Sequence, residues 1–261
     1  MEKKQISLYM NENQLVNAAI DKIVVELVNK KENNDAAQKI LMTGCSPLAG
    51  TTSTSISIGI ALANCHKKTL LIDCDVRKSL KYKKLNAETT LGLADYLYKA
   101  EKEKLPEAEV IYPTNIDNLF YVPCGAYSSN PTRVLCSDFM DNFIETIEGD
   151  FEYILFDFPS LAVVPDAQVF FNKVNGIILI STLGETRKKE IRDAKAKIKS
   201  YQDRYYGMIV NKVPLDVYRH NVKEYDYYFV DEKGEQNLNG NIAYKRYQKR
   251  TKKRCKNGEE K

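Results

Sequence analysis

The chain has no tryptophan and only two histidines, and none of its six cysteines forms a C-x-x-C pair. His66 and His220 both lie in polar surroundings, so neither supports a Ser/His or Cys/His nucleophile. Without paired spacing, Cys45, Cys65, Cys74, Cys124, Cys136 and Cys255 do not read as a zinc or redox framework. In a cytosolic protein they are expected to be reduced thiols, several of them buried. No apolar run is long enough to span a bilayer, and the charged start M-E-K-K-Q has no signal-peptide character. The expected location is therefore cytoplasmic, with any membrane residence supplied by a partner. The formal charge of +4 is modest, and its Lys/Arg are concentrated after Tyr244. What is present, 43% hydrophobic and 28% charged residues in 261, suits one soluble α/β domain with extensions.

A further absence sits in the stretch around which the chain is organised, Lys39 to Ser55, K-I-L-M-T-G-C-S-P-L-A-G-T-T-S-T-S. It reads as a buried strand, a loop punctuated by Gly and Pro, and a helix through the apolar run Ile56 to Ala63. That order is the architecture of a phosphate-binding loop, where backbone N–H groups and a helix N-terminus surround a phosphate. The usual pattern is Gly, four residues, then Gly-Lys-Ser/Thr. Here Cys45 holds the first Gly position, Gly50 the second, Thr51 the lysine position and Thr52 the metal-side hydroxyl. The loop is present by shape and deficient by charge. Taken alone, Gly50 serves equally well as a tight turn between strand and helix.

Before this loop, Leu15, Ala19, Ile20, Ile23, Val24, Leu27 and Val28 recur at helical spacing and predict an amphipathic helix over Asn11–Lys31, capped by Asn11 or Asn13. With its polar connector it forms an N-terminal segment, residues 1–37. The domain proper is expected over 38–214. Within it T-L-L-I-D-C-D-V-R-K places Asp73 and Asp75 at the end of a buried strand, on one side of the chain if it stays extended. Phe151–Pro159, F-E-Y-I-L-F-D-F-P, is a buried strand ending in Asp157, a position suited to orienting Mg²⁺ or its waters. Further strands are predicted at Asn118–Pro123, Gly176–Ser181 and Gly207–Val213, the last containing Asn211. Helices are predicted near Gly92–Leu97, Pro131–Glu148, Ala167–Asn172 and Arg187–Gln202. Strands alternating with helices predict a doubly wound, mainly parallel sheet with helices on both faces. Residues 215–261 form a tail with Tyr218, Tyr225, Tyr227 and Tyr228 and then a basic end, expected to be disordered past about Asp231.

Several of these segments together resemble the bacterial tyrosine kinases of capsule and exopolysaccharide synthesis, within the deviant P-loop ATPases that include septum-site and partition proteins. The resemblance rests on P-L-A-G-T-T-S-T, L-L-I-D-C-D-V-R, N-L-F-Y-V-P-C-G-A-Y-S-S-N-P-T-R-V-L, I-L-F-D-F-P-S-L, G-M-I-V-N-K-V and the tyrosine-bearing tail. It implies a P-loop NTPase-like fold and ATP with Mg²⁺ as cofactors. It further implies that Gly50, Thr51, Thr52 and Ser53 face the phosphates, with Thr52 on the metal. Asp73 would activate the attacking tyrosine hydroxyl, Asp75 and Asp157 would hold the metal, and Asn211 would touch the adenine edge. Tyr218, Tyr225, Tyr227 and Tyr228 resemble the phosphoacceptor cluster.

The departures from that pattern are specific. Thr51 replaces the loop lysine, Leu48-Ala49 replaces the usual Gly-Glu, and the first helix offers Asn17, Ile20 and Ile23 where the family carries a subunit-joining Glu/Arg/Arg. Three functional readings stay open. One is an active, autophosphorylating tyrosine kinase. A second is a pseudokinase that regulates polysaccharide assembly through a transmembrane co-polymerase, a homo-oligomer or an active paralogue. The third is a partition-type ATPase, and the kinase-like segments count against its nucleic-acid partner.

Overall fold

Strands that are apolar at nearly every position must be covered on both faces, and this requirement organises the fold. The structure is a computed structural model that describes residues 5–9, 11–31, 36–77, 91–99, 105–126, 128–214 and 217. The chain divides into two units, Met1–Lys212 and Val213–Lys261. The four tail tyrosines and the basic end lie outside the described residues.

The helices are α1 (Gln14–Lys30), α2 (Thr51–Asn64), α3 (Leu93–Lys99), α4 (Pro131–Leu135), α5 (Asp138–Ile147) and α6 (Lys188–Ile198). The strands are β1 (Gln38–Gly44), β2 (Thr69–Asp73), β3 (Tyr112–Pro113), β4 (Leu119–Val122), β5 (Tyr153–Phe158), β6 (Gly176–Thr182) and β7 (Tyr205–Asn211). They form one seven-stranded sheet in the order β3-β4-β2-β5-β1-β6-β7. All pairings are parallel except β3 with β4. Strand alternation divides the core into two layers. Ile40, Met42, Leu71, Leu155, Ile178 and Ile180 face α1 and α2, joining Val24, Leu27, Ile58 and Leu62. Leu41, Leu70, Ile72, Ile154, Phe156 and Leu179 face the other way, against Leu97, Phe143, Ala194 and Ile198. The doubly wound, mainly parallel sheet expected from the sequence is the one observed.

Local boundaries differ for identifiable reasons. The helix expected over Pro131–Glu148 is interrupted: α4 stops at Leu135 and α5 starts after Ser137. The Ser137 hydroxyl donates to the Val134 carbonyl at 2.7 Å, a local bond of the kind by which serine competes with continuous helix. The short helix expected over Ala167–Asn172 is a 3-10 helix over Asp166–Phe170. The helix expected to reach Gln202 ends at Ile198 and continues as a 3-10 segment broken at Tyr201. β7 ends at Asn211 because Lys212 turns into the left-handed region, φ 53°.

Close backbone approach fixes one glycine. A Cβ on Gly92 would lie 2.4 Å from the Gly125 nitrogen and 2.5 Å from the Pro123 carbonyl oxygen, neither of which can swing aside as a side chain would. Gly92→Ala is therefore expected to destabilise the protein by about 1–3 kcal/mol, seen as a lower urea midpoint. Gly149→Ala, whose added Cβ meets nothing within 4 Å, is the control. Equal midpoints for the two variants would contradict this packing.

Candidate functional site

The site forms where β1 ends, at the C-terminal edge of the sheet between β5 and β6, the position at which open α/β sheets bind ligands. Two neighbours anchor the loop base. The Cys45 N–H donates to the Ile180 carbonyl at 2.7 Å, and the Gly44 carbonyl accepts from the Leu161 N–H and the Ser160 hydroxyl, both at 3.0 Å. Farther along, the Ser46 and Thr186 hydroxyls lie 2.8 Å apart, and Asn211 Nδ2 donates to the Ala49 carbonyl at 2.9 Å. Burial pushes the Cys45 thiol up to about 11, so this cysteine is a packed wall of the loop rather than a thiolate.

Gly50 precedes α2 at φ 84°, and a Cβ there would fall 2.2 Å from Asn211 Nδ2. Both its conformation and its neighbour require glycine. Leu48 takes φ 58° and is 85% exposed. A leucine in that region costs about 1–2 kcal/mol, yet the turn is kept. α2 has no side-chain cap at Gly50, so the N–H groups of its first turn, Thr51, Thr52 and Ser53, have neither an intrahelical carbonyl nor a cap. Together with the helix dipole they make an anion-binding end. Thr51 and Thr52 are half-buried and Ser53 is exposed. The Thr51 hydroxyl packs toward Gly44, where an added Cβ would approach it to 3.1 Å.

The carboxylates come from the neighbouring strands. Asp73 and Asp157 are register partners in adjacent parallel strands, and Asp157 also pairs with Met42 of β1. Both carboxylates therefore point to the α2 side. Both are buried, at 0% and 3% exposure. The Ser55 hydroxyl, one turn into α2, donates to Asp157 Oδ1 at a long 3.5 Å. Asp75 lies two residues beyond the end of β2. Its N–H donates back to Asp73 Oδ1 at 3.0 Å. Among the described residues no three His, Cys, Asp or Glu side chains form a metal cage. The residues still suit Mg²⁺, which keeps water ligands and binds through one or two carboxylates plus phosphate oxygens. A cation beside Asp73 and Asp157 would also offset the repulsion between adjacent buried carboxylates.

Tyr121, Thr182, Asp166 and Thr132 escaped the sequence reading. The Tyr121 phenol of β4 donates to Asp73 Oδ2 at 3.3 Å; burial, with Asp73 and Asp157 close by, pushes that phenol well above its ordinary value and keeps it a donor. The buried Thr182 hydroxyl at the end of β6 has no hydrogen-bond partner among the described residues. Arg77 forms a bidentate pair with Asp166, at 2.7 and 2.9 Å, and the Thr132 hydroxyl donates to the same carboxylate at 2.7 Å. This triad ties the turn after β2 to α4 beside the site. No local sequence signal links these residues, apart from the D-x-D-x-R run that contains Arg77.

Fold and loop together define a class: an α/β protein with a P-loop NTPase-like fold. No family model matches the sequence. The chain is 33% identical over 195 residues to tyrosine-protein kinase CpsD of Streptococcus pneumoniae serotype 4, covering 74% of this chain and 84% of that protein. It belongs to the bacterial tyrosine-protein kinase family. Among solved structures it is similar to the kinase domain of the Escherichia coli tyrosine kinase ETK, with TM-score 0.68, 22% identity and 76% of each chain covered. The fold is shared more distantly with the septum site-determining protein MinD of Pyrococcus horikoshii, with TM-score 0.53, 18% identity, and 67% of this chain and 70% of that one covered.

The Asp166 triad makes a pH prediction. Burial alone would raise this carboxyl, but the hydrogen bonds from Arg77 and Thr132 outweigh it and hold the group below its usual value. Its contribution to stability is thus present above the unfolded carboxyl pKa of about 4 and is lost as pH falls through the lower folded value. Because Arg77 is 37% exposed, we expect Asp166→Asn to cost roughly 1–3 kcal/mol at pH 7. The difference from wild type should shrink as acid is added. Denaturant melts at pH 7 and pH 3 check this, and a gap that widens in acid would contradict it.

Proposed function

We propose that the protein is a nucleotide-binding member of its family that regulates capsular or exopolysaccharide assembly, with ATP-dependent tyrosine phosphorylation slowed by the loss of the loop lysine. The observation that carries this reading is the first turn of α2, where the turn geometry and uncapped N–H groups are kept while Thr51 offers a hydroxyl packed toward Gly44. Thr51, Thr52 and Ser53 would hold ATP phosphates through backbone N–H groups. Thr52 and Asp157, with Asp75, are the residues to hold Mg²⁺, which when bound neutralises charge on the phosphate oxygens. Asp73 would accept the proton of an attacking tyrosine hydroxyl, with Tyr121 and the Asp75 N–H fixing its carboxylate. Asn211, with its amide on the Ala49 carbonyl, would shape the loop beside the adenine. The partner this reading calls for is a transmembrane polysaccharide co-polymerase or an active paralogue. Tyr218, Tyr225, Tyr227 and Tyr228 would then receive phosphate mostly from another kinase.

A second reading, an active autophosphorylating kinase, is favoured by one observation: Asp73 and Asp157 remain paired in register and buried. The two readings separate experimentally. Calorimetry with Mg²⁺-ATP should show weak binding that Thr51→Lys tightens about tenfold or more, the value of a charge-assisted contact. No gain in the lysine variant would contradict the proposed defect. In parallel, purified wild type and Asp73→Ala are incubated with Mg²⁺-ATP and tail phosphotyrosine is followed by mass spectrometry. We expect wild-type turnover about 10²–10³ below that of Thr51→Lys. Rapid wild-type phosphorylation that Asp73→Ala abolishes would establish the active kinase instead.

A further inference from the structure

The family resemblance puts Asn211 at an adenine edge, but its contacts lead to the loop. An amide reads an adenine edge by presenting its N–H and its C=O side by side. In Asn211 the side-chain nitrogen donates to the Ala49 carbonyl at 2.9 Å, and the side-chain oxygen accepts the Lys212 N–H at 2.8 Å. Turning the pair to a base would break both bonds and take this donor from the carbonyl of Ala49, a residue only 1% exposed, a costly exchange for a buried acceptor. The backbone of Asn211 is fixed as well, since its carbonyl accepts the Leu183 N–H at 3.1 Å. Its register partner Thr182 carries a buried hydroxyl with no hydrogen-bond partner among the described residues. The amide still goes to the loop.

That contact acts on the backbone donors that follow it. The Ala49 C=O and the Gly50 N–H belong to one planar trans peptide and point opposite ways, so a donor gripping the carbonyl also aims the Gly50 N–H, away from Asn211. The next peptide is aimed from the helix side, because the Gly50 carbonyl accepts the Thr54 N–H at 3.0 Å and the Thr54 hydroxyl at 2.9 Å. The Gly50 and Thr51 N–H groups are therefore oriented without any ligand, and they lead into the uncapped first turn of α2. We propose that Asn211 is a positioning residue for the phosphate chain and not a reader of the base. This rests on the nucleotide reading of the site and deepens it. What Asn211 recognises, through the loop, is the polyphosphate common to ATP, GTP and inorganic tripolyphosphate.

The test is calorimetry on the full chain with Mg²⁺ and each of ATP, GTP and inorganic tripolyphosphate. Asn211→Ala should weaken all of them by the same factor, about fivefold for one hydrogen bond. Gly50→Ala places a Cβ 2.2 Å from Asn211 Nδ2 and so breaks the same contact. The double variant Gly50→Ala/Asn211→Ala should then bind as Gly50→Ala does alone, whereas a general loss of stability would add. Should Gly50→Ala melt early, hydrogen exchange on ligand-free Asn211→Ala gives the decision. There the Thr54 amide should exchange about fivefold faster, while the Tyr96 N–H, bonded to the Gly92 carbonyl at 3.0 Å, keeps its wild-type rate. A variant that loses ATP but holds tripolyphosphate as wild type does would overturn the proposal and leave the nucleotide reading standing. So would an unchanged Thr54 rate. A wild type that binds none of the three ligands would overturn both.

Discussion

The parallel pairing of β1 between β5 and β6 is the constraint on which the rest depends. Register with β5 sets Met42 beside Asp157, and register between β5 and β2 sets Asp157 beside Asp73. A slip of one residue would turn each carboxylate to the opposite face of the sheet, away from α2. The same pairing holds the loop from the other side, through the Cys45 N–H on the Ile180 carbonyl. The loop, the acids and the amide of Asn211 are thus consequences of one ladder rather than separate placements.

Within that frame, shape and charge have come apart. Leu48 holds a left-handed turn that glycine would adopt without strain, and Gly50 retains its own because Asn211 packs where a Cβ would be. Bonds from Ser46 and Asn211 to the surrounding strand ends and the α6 approach keep the loop in place. Those bonds are indifferent to whether position 51 carries a lysine. A loop can therefore keep its backbone path long after the side chain that served the outer phosphates has gone.

How legible all this was depended on the range of the signal. The sheet was readable because buried parallel strands appear as short apolar runs, and Asp73 and Asp157 drew notice as carboxylates ending such runs, each a weak signal by itself because many strands end in aspartate. Tyr121 was not, since it sits 48 residues from Asp73 and looks like any other core aromatic in N-L-F-Y-V-P. The same holds for Asp166, which meets Arg77 across 89 residues. The single helix expected over Pro131–Glu148 failed at a short-range contest, where Ser137 satisfied the Val134 carbonyl and let the chain restart.

The missing lysine weighs differently on binding and on transfer. On the proposed reading, backbone N–H groups at the start of α2 would act on ground-state phosphate whatever side chain follows Gly50, so binding would lose one charge-assisted contact, roughly 1.5–3 kcal/mol. In transfer, charge moves on the γ-phosphoryl oxygens, and groups already aimed at it matter more than those that merely hold the nucleotide. In the proposed roles, Asp73 and Asp157 would serve the proton and the metal and would replace nothing at the phosphoryl group. On the proposed reading, a site with its acids in register and a threonine in place of the loop cation would hold a nucleotide more readily than it transfers phosphate.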